Sequence, residues 1–399
     1  MSGHFGAEAA GAAQRLLWIP VAYLAVVTAA GLRQPARIPQ ASASRSVVVL
    51  VPAHDEEDHV EETVRSLLAT DYDPALRRVV VVADNCSDAT ADRARRADAE
   101  VWERIDPGRR GKGAALAWAV GRLTDEPGWE TVVVVDADSR VDPGLLRALN
   151  DRMAAGAEVV QSEQRVANPA DTVVSRLAEA SFAVQSVLRQ RGRAALGAAA
   201  KLQGNGMAFS RAVIERHEWT SDALTEDIDA WLTLLRRGVR PRFEPRARVA
   251  GLMPTTLAAA RVQRARWEAG RLQLVRRHLS GGLREAAARR DLVLLEAVVS
   301  ELVFPPLAIL AAAIGAAGLA RALATGRPGS APAQAGVLAT HALAGLVVSR
   351  ASPKTYAALA LAPAVVAWKV ALKLELALGR GPTGWSRTPR PKNDPRARP

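Results

Sequence analysis

Cysteine is nearly missing from this chain. Cys86 is the only one among 399 residues, which excludes an internal disulfide framework and any cysteine-rich zinc site. Aromatic residues are scarce too, at 4%, and the basic residues cluster against apolar runs, so a nucleic-acid-binding surface of interleaved aromatics and cations is not written here. The phosphate loop G-x-x-x-x-G-K-[ST] is also absent. The stretch PGRRGKGAA at 107–115 comes nearest, but the frame would need a glycine at Asp106 and a hydroxyl residue at Gly113. That argues against a P-loop enzyme, and no internal repeat suggests a solenoid.

What is present is positive charge and apolar length. A net charge of +12 and a pI near 10.7 suit anionic lipid, nucleic acid or nucleotide ligands without choosing among them. The apolar share is unevenly placed. Residues 16–32 (LLWIPVAYLAVVTAAGL) carry no charge and are followed by Arg33, Arg37 and Arg45. They read as a membrane anchor rather than a signal peptide cut near Ala29-Ala30-Gly31, because the C-terminal third is membrane-like as well. Residues 302–320, 335–349 and 357–368 are further apolar runs, the last of which could lie in the interface. Just before them, 261–290 is rich in arginine against only Glu268 and Glu285. A basic flank before an apolar span places the preceding domain in the cytoplasm. An alanine-rich helical core of a soluble domain is the rival reading of these runs.

Between 46 and 260 the pattern is α/β. Ser46 to Val51, Val79 to Val82 and the valine run from Val132 read as buried strands and Glu100 to Trp102 as a short one, among helical periodicity at 56–69, 89–97 and 113–123. Alternation at this spacing predicts a mostly parallel sheet covered on both sides. Ligands of such sheets bind where strands end, and here the strand ends are acidic. The Val132 strand closes on Asp136-Ala137-Asp138. A D-x-D pair offers hard oxygen ligands suited to Mg²⁺ or Mn²⁺ against a diphosphate, though alone it is as readily an acidic turn. The first strand runs into Pro52-Ala53-His54-Asp55-Glu56-Glu57, and the second into Ala83-Asp84-Asn85-Cys86-Ser87-Asp88, where Asp84 can accept from an imide N–H and Ser87 or Asp88 can cap the next helix. Lys112, between glycines and before a helix, suits a phosphate. Gln203 to Gly206 (QGNG) offers backbone that a substrate could approach closely. Thr225-Glu226-Asp227 starts an amphipathic helix, with Thr225 as candidate N-cap and one acid available as a general base. In Gln263-Arg264-Ala265-Arg266-Trp267 an arginine and an indole could clamp a diphosphate and stack on a sugar.

In this order the motifs resemble those of the family 2 glycosyltransferases, in the membrane-bound branch of cellulose, chitin, hyaluronan and poly-N-acetylglucosamine synthases. PAHDEE is similar to P-A-x-N-E-E, and ADNCSD to D-D-G-S-x-D, with Ala83 and Asn85 replacing the first aspartate and the glycine. D-A-D matches D-x-D, T-E-D matches its namesake, and QRARW matches Q-x-x-R-W. The resemblance implies a GT-A-like cytoplasmic domain flanked by transmembrane helices: anchor and linker at 1–45, catalytic domain at 46–260, basic interface helices at 261–290, membrane segments at 291–379 and a basic tail at 380–399. It implies an inverting transfer from a nucleotide-sugar, with UDP expected, to a saccharide or lipid acceptor at the cell membrane. The expected roles are Asp227 as base; Pro52, Ala53, Glu56, Asp84, Lys112 and Asp136 at the nucleotide; Asp138 and Asp136 at Mg²⁺ or Mn²⁺; and Glu226, Gln263, Arg266 and Trp267 at acceptor and diphosphate. No nucleic acid partner is expected. The alternatives are single-sugar transfer to a polyprenyl phosphate or other lipid, and a basic membrane-surface module without turnover.

Overall fold

The computed structural model describes residues 2–36, 38–217, 219, 223–378 and 380; the basic tail lies outside them apart from Arg380. Its centre is an eight-stranded sheet in the order β3-β2-β1-β4-β7-β6-β8-β5. The strands are β1 (Val47–Ala53), β2 (Arg77–Asp84), β3 (Glu100–Arg104), β4 (Thr131–Val134), β5 (Ser139–Val141), β6 (Val159–Val166), β7 (Met207–Ser210) and β8 (Arg242–Gly251). β1 lies between β2 and β4 and parallel to both, and β3 extends the parallel half. β7 runs antiparallel to β4 and to β6. β8 is parallel to β6 with a register shift at Ser162/Glu163, and β5 closes the edge antiparallel to β8.

Valine runs form the parallel half because both faces are buried. Val48, Leu50, Val80, Val82, Val132 and Val134 point into one core with Leu116, Trp102 and Trp231. Their neighbours Val47, Val49, Val51, Val79, Val81, Val133 and Val135 point into the other, against Val64, Leu67, Leu145 and Leu149. The two-residue period of a strand is visible in that division. The other half of the sheet was not anticipated, because β5, β6 and β8 carry charge and β7 is only four residues long. β6 contains Glu163, fully buried, ion-paired to Arg165 (2.5 Å), Arg191 (3.1 Å) and Arg248 (3.5 Å). β8 contains Glu244, held by Arg152 at 3.1 Å and Arg246 at 2.9 Å.

Four helical stretches among the described residues are long and apolar enough to cross a membrane: Gly6–Gly31, Leu307–Thr325, Ala331–Ser349 and Pro353–Ala377. The first three share a core of Val21, Leu24, Leu310, Ile314, Ala331 and Leu338. They leave Leu16, Ile19, Leu319, Leu323 and Val347 exposed, as lipid-facing residues would be. The second begins after Pro305-Pro306 rather than at Leu302, since proline at a helix interior removes a donor. The last is longer than the apolar run at 357–368, spanning 25 residues. Between domain and membrane helices runs the 33-residue helix Leu257–Arg289.

Candidate active site

At the carboxyl ends of β1, β2 and β4 lies a cleft of about 670 Å³. Every residue to which the resemblance gave a site role lines it: Pro52, Ala53, Glu56, Asp84, Lys112, Asp136, Asp138, Glu226, Asp227, Gln263, Arg266 and Trp267. The parallel register explains the convergence of the first three strand ends. Ala53 pairs with Ala83, so PAHDEE and ADNCSD leave the sheet side by side, with the β4 acids next to them.

At one end Asp84 is buried. Its Oδ1 accepts from Arg104 Nη1 at 2.5 Å and from Asn85 Nδ2 at 3.0 Å; its other oxygen has no partner among the described residues. Arg104 was not anticipated, because it reaches Asp84 across the β2–β3 pairing. Beside it the His54 Nδ1–H donates to the Asp84 carbonyl at 2.7 Å. Asn85 replaces the glycine of the resembled motif at φ +51°, in the left-handed region that asparagine tolerates better than most residues. That departure leaves the turn intact. Asp88 accepts the Thr90 amide at 2.9 Å, as a residue at a helix start can.

Asp55, Cys86 and Asp88 form the one group of three His, Cys, Asp or Glu ligand atoms among the described residues close enough together for an ion. Asp55 already accepts the Ser87 amide at 2.7 Å, and Asp88 the Glu57 amide at 3.1 Å. Burial pushes the Cys86 thiol up to about 11, so it stays protonated where a metal needs thiolate. This trio reads as a loop lock.

At the centre, Lys112 opens the helix Lys112–Thr124, after Gly111 at φ +109°. Its Nζ pairs with Asp136, donates to the Gly204 carbonyl at 2.5 Å and lies 3.9 Å from Glu226. Burial acts to lower the Lys112 pKa, but the surrounding carboxylates of Asp136, Glu226 and Asp227 outweigh it and the net shift is upward. The acids respond oppositely. Burial lifts Glu226 to about 7 against the pull of Lys112, and lifts Asp227 above the usual aspartate range against Lys112 and Lys201. Asp138 is also buried, at 7% exposure. Thr225 precedes the helix Glu226–Arg236, but its hydroxyl does not cap it and is instead buried without a hydrogen bond.

The QGNG turn forms the cleft floor. Gln161 and Gln164 donate to the Asn205 carbonyl at 2.8 and 2.9 Å, and Asn205 Oδ1 takes the Asp136 amide at 3.1 Å. Gly206 has φ +64°, and a side chain there would overlap Ser162 Oγ and sit 2.7 Å from Val249. Gly206→Ala is therefore expected to destabilise the protein by about 1–3 kcal/mol, read as a lowered thermal midpoint in detergent. Ser162→Ala in the same chain should recover only the overlap and not the backbone strain.

The remaining cleft wall comes from the Leu257–Arg289 helix, with Gln263 buried and the Arg264 guanidinium 5.0 Å from the Trp267 ring centre. Sequence reasoning also missed Gln164, Arg165 and Phe182, which line the cleft; β6 was not read as a strand, so nothing brought Gln164 and Arg165 there, and Phe182 arrives at the end of the helix Val173–Phe182.

Residues 44–270 match the family described as Glycosyltransferase like family 2. A probable glycosyltransferase of Bacillus subtilis, YdaM, is 29% identical over 248 residues, covering 59% of this chain and 57% of that protein. The poly-β-1,6-N-acetyl-D-glucosamine synthase of Staphylococcus aureus is 24% identical over 262 residues, covering 64% of this chain and 61% of the synthase. In both cases the match spans less than two thirds of the relative's length. Among solved structures, a mannosyltransferase from Pyrobaculum calidifontis in complex with GDP-Man and Mn²⁺ aligns with a TM-score of 0.60 at 20% identity. That alignment covers 94% of this chain and 99% of the mannosyltransferase, which establishes a shared GT-A fold.

Proposed function

This chain belongs to the glycosyltransferase-like family 2 and is a glycosyltransferase; from that premise we propose that it moves a sugar from a nucleoside-diphosphate sugar to a saccharide or lipid acceptor at the cytoplasmic face of a membrane, with inversion. The observation that carries this reading is the meeting, in one cleft, of Asp84, the D-x-D acids, Lys112 and the buried pair Glu226-Asp227.

Each residue has a task that its surroundings suit. The base of the donor sits against Asp84, whose second oxygen can accept the one ring N–H that uracil and guanine each offer; the family resemblance makes UDP-sugars the first donors to test. Lys112 and the amides at its helix start meet the diphosphate. Asp227, desolvated, takes the acceptor hydroxyl proton as the oxygen attacks the anomeric carbon, and the bond to the diphosphate breaks on the opposite face. An α-linked donor thereby gives a β-glycoside. Arg266 adds positive charge at the leaving group, and Trp267 offers an apolar face to the acceptor sugar.

Asp136 and Asp138 fit a divalent ion. Their ligand atoms are hard carboxylate oxygens, and the Lys112 ammonium against Asp136 marks this as a place where the protein already holds a cation. Mg²⁺ or Mn²⁺ bound there would neutralise charge on the diphosphate. The relative that makes poly-β-1,6-N-acetyl-D-glucosamine supports a polymer product. The four apolar helices and the arginine-rich flank at 261–290 support a multi-pass protein with its catalytic domain inside.

Nucleotide release and product length, measured on membranes with a panel of UDP- and GDP-sugars, test the proposal. One donor consumed with inversion is expected; no turnover on any donor would leave a membrane-surface module as the better reading. The pH profile adds a further check. Only ionised Asp227 can accept a proton, so kcat/KM rises with pH, and its acid inflection is expected above the ordinary aspartate value of about 4. Lys112 pulls both acids down, so Lys112→Met should move that inflection higher still.

A further inference from the structure

The helix that presents Asp227 is fastened along its length to the helix that presents Gln263, Arg266 and Trp267. Gly270 lets the two approach at the start, since a Cβ there would lie 2.7 Å from Thr225 Cγ2 and 2.8 Å from its hydroxyl. The Leu224 amide donates to Gln273 Oε1 at 3.2 Å. One turn on, Asp229 is 5% exposed, and its carboxylate accepts from His278 Nε2 at 2.7 Å and from Arg277 Nη1 at 2.9 Å. At the far end Arg236 Nε meets Glu285 at 3.1 Å, and Arg289 donates to the Arg236 carbonyl at 2.5 Å. Positions 263, 266, 267, 270, 273, 277 and 285 recur at helical spacing along one stripe, so the stripe that holds the Asp227 helix is continuous with the one facing the cleft.

Asp229 is the most consequential of these contacts. It lies two residues after Asp227 and within the first turn of the same helix. His278 is 2% exposed, and because a carboxylate only accepts, its Nε2 carries the proton shared with Asp229. A buried charge with two well-formed partners has one low-energy position. We propose that Asp229 and His278 are positioning residues that fix Asp227 relative to Arg266 and Trp267, so that base and acceptor wall move as one body. This rests on the reading of Asp227 as the base.

The test uses the full-length protein in detergent or nanodiscs. His278→Ala is expected to lower kcat about 10- to 100-fold, the scale of a misplaced reacting group, with the donor KM within about twofold. His278→Gln, whose Nε2 can still donate to Asp229, is expected to return kcat to within about threefold of the parent. In parallel, amide hydrogen exchange over 226–231 should speed up in His278→Ala and return to the parent rate in His278→Gln. Equal loss in both variants, a change confined to KM, or unaltered exchange over 226–231 would overturn the assignment. If the parent turns over no donor, the reading of Asp227 as base fails, and the lock between the two helices is then decided by exchange alone.

Discussion

Asp227→Asn is expected to abolish transfer, lowering kcat by about 10²- to 10⁴-fold, the contribution of a positioned general base, while donor binding stays within about threefold. Two carboxylates are adjacent in this cleft, and burial raises both. Glu226 is lifted to about 7, so near neutral pH a large share of it is already protonated. Glu226→Gln mimics that form and should cost far less than Asp227→Asn. If the glutamine variant loses more, the two acids exchange roles. Stability should move the other way. Burial raises the Asp227 pKa, so its contribution is fully present below the unfolded value of about 3.8 and is lost as pH rises through the higher folded value. Asparagine is neutral throughout. The thermal midpoint of Asp227→Asn should therefore lie at or above the parent at pH 8, and the gap should narrow as pH falls towards 4. A midpoint well below the parent at pH 8 would mean that Asp227 holds structure rather than serving chemistry.

The parts of this molecule that could be read from sequence are those whose physics is local. β1, β2 and β4 are legible because strands buried on both faces become unbroken valine runs. Their acidic ends are legible because a sheet of this kind gathers strand ends at one edge. β6 and β8 were missed because their charges are neutralised from elsewhere. Glu163 in VVQSEQRV looks like a solvated residue until Arg191 and Arg248 arrive from a helix and another strand. Arg104 was missed for the same reason, since only the β2–β3 pairing brings it to Asp84. The apolar runs located the membrane helices but not their ends, which depend on Pro305-Pro306 and on the turns that join them. His278 carried no local signal at all; its meaning comes from the helix packed against it.

Asp138→Ala should be the second large loss, about 10²- to 10³-fold in kcat/KM, as when one preorganised stabiliser of developing charge is removed. Chelation of divalent ions should lower activity of the parent to a similar level, with Mg²⁺ or Mn²⁺ restoring the parent but not Asp138→Ala. The loss should not be total, because the Lys112 ammonium remains at the same place and can still meet a departing diphosphate. Asp136→Ala offers the sharper comparison. Asp136 is the ion-pair partner of Lys112, so removing it deletes one carboxylate ligand and also releases the ammonium. Its activity should therefore fall less than that of Asp138→Ala at saturating metal, and the two variants should be ranked by kcat/KM across a metal titration. Lys112→Met combined with Asp138→Ala removes the lysine and the metal together and leaves Arg266 alone at the leaving group, so activity should drop well below either single variant. If Asp138→Ala keeps parental kcat/KM at saturating Mg²⁺ or Mn²⁺, the aspartates after β4 are an acidic turn and the leaving group is stabilised elsewhere in the cleft.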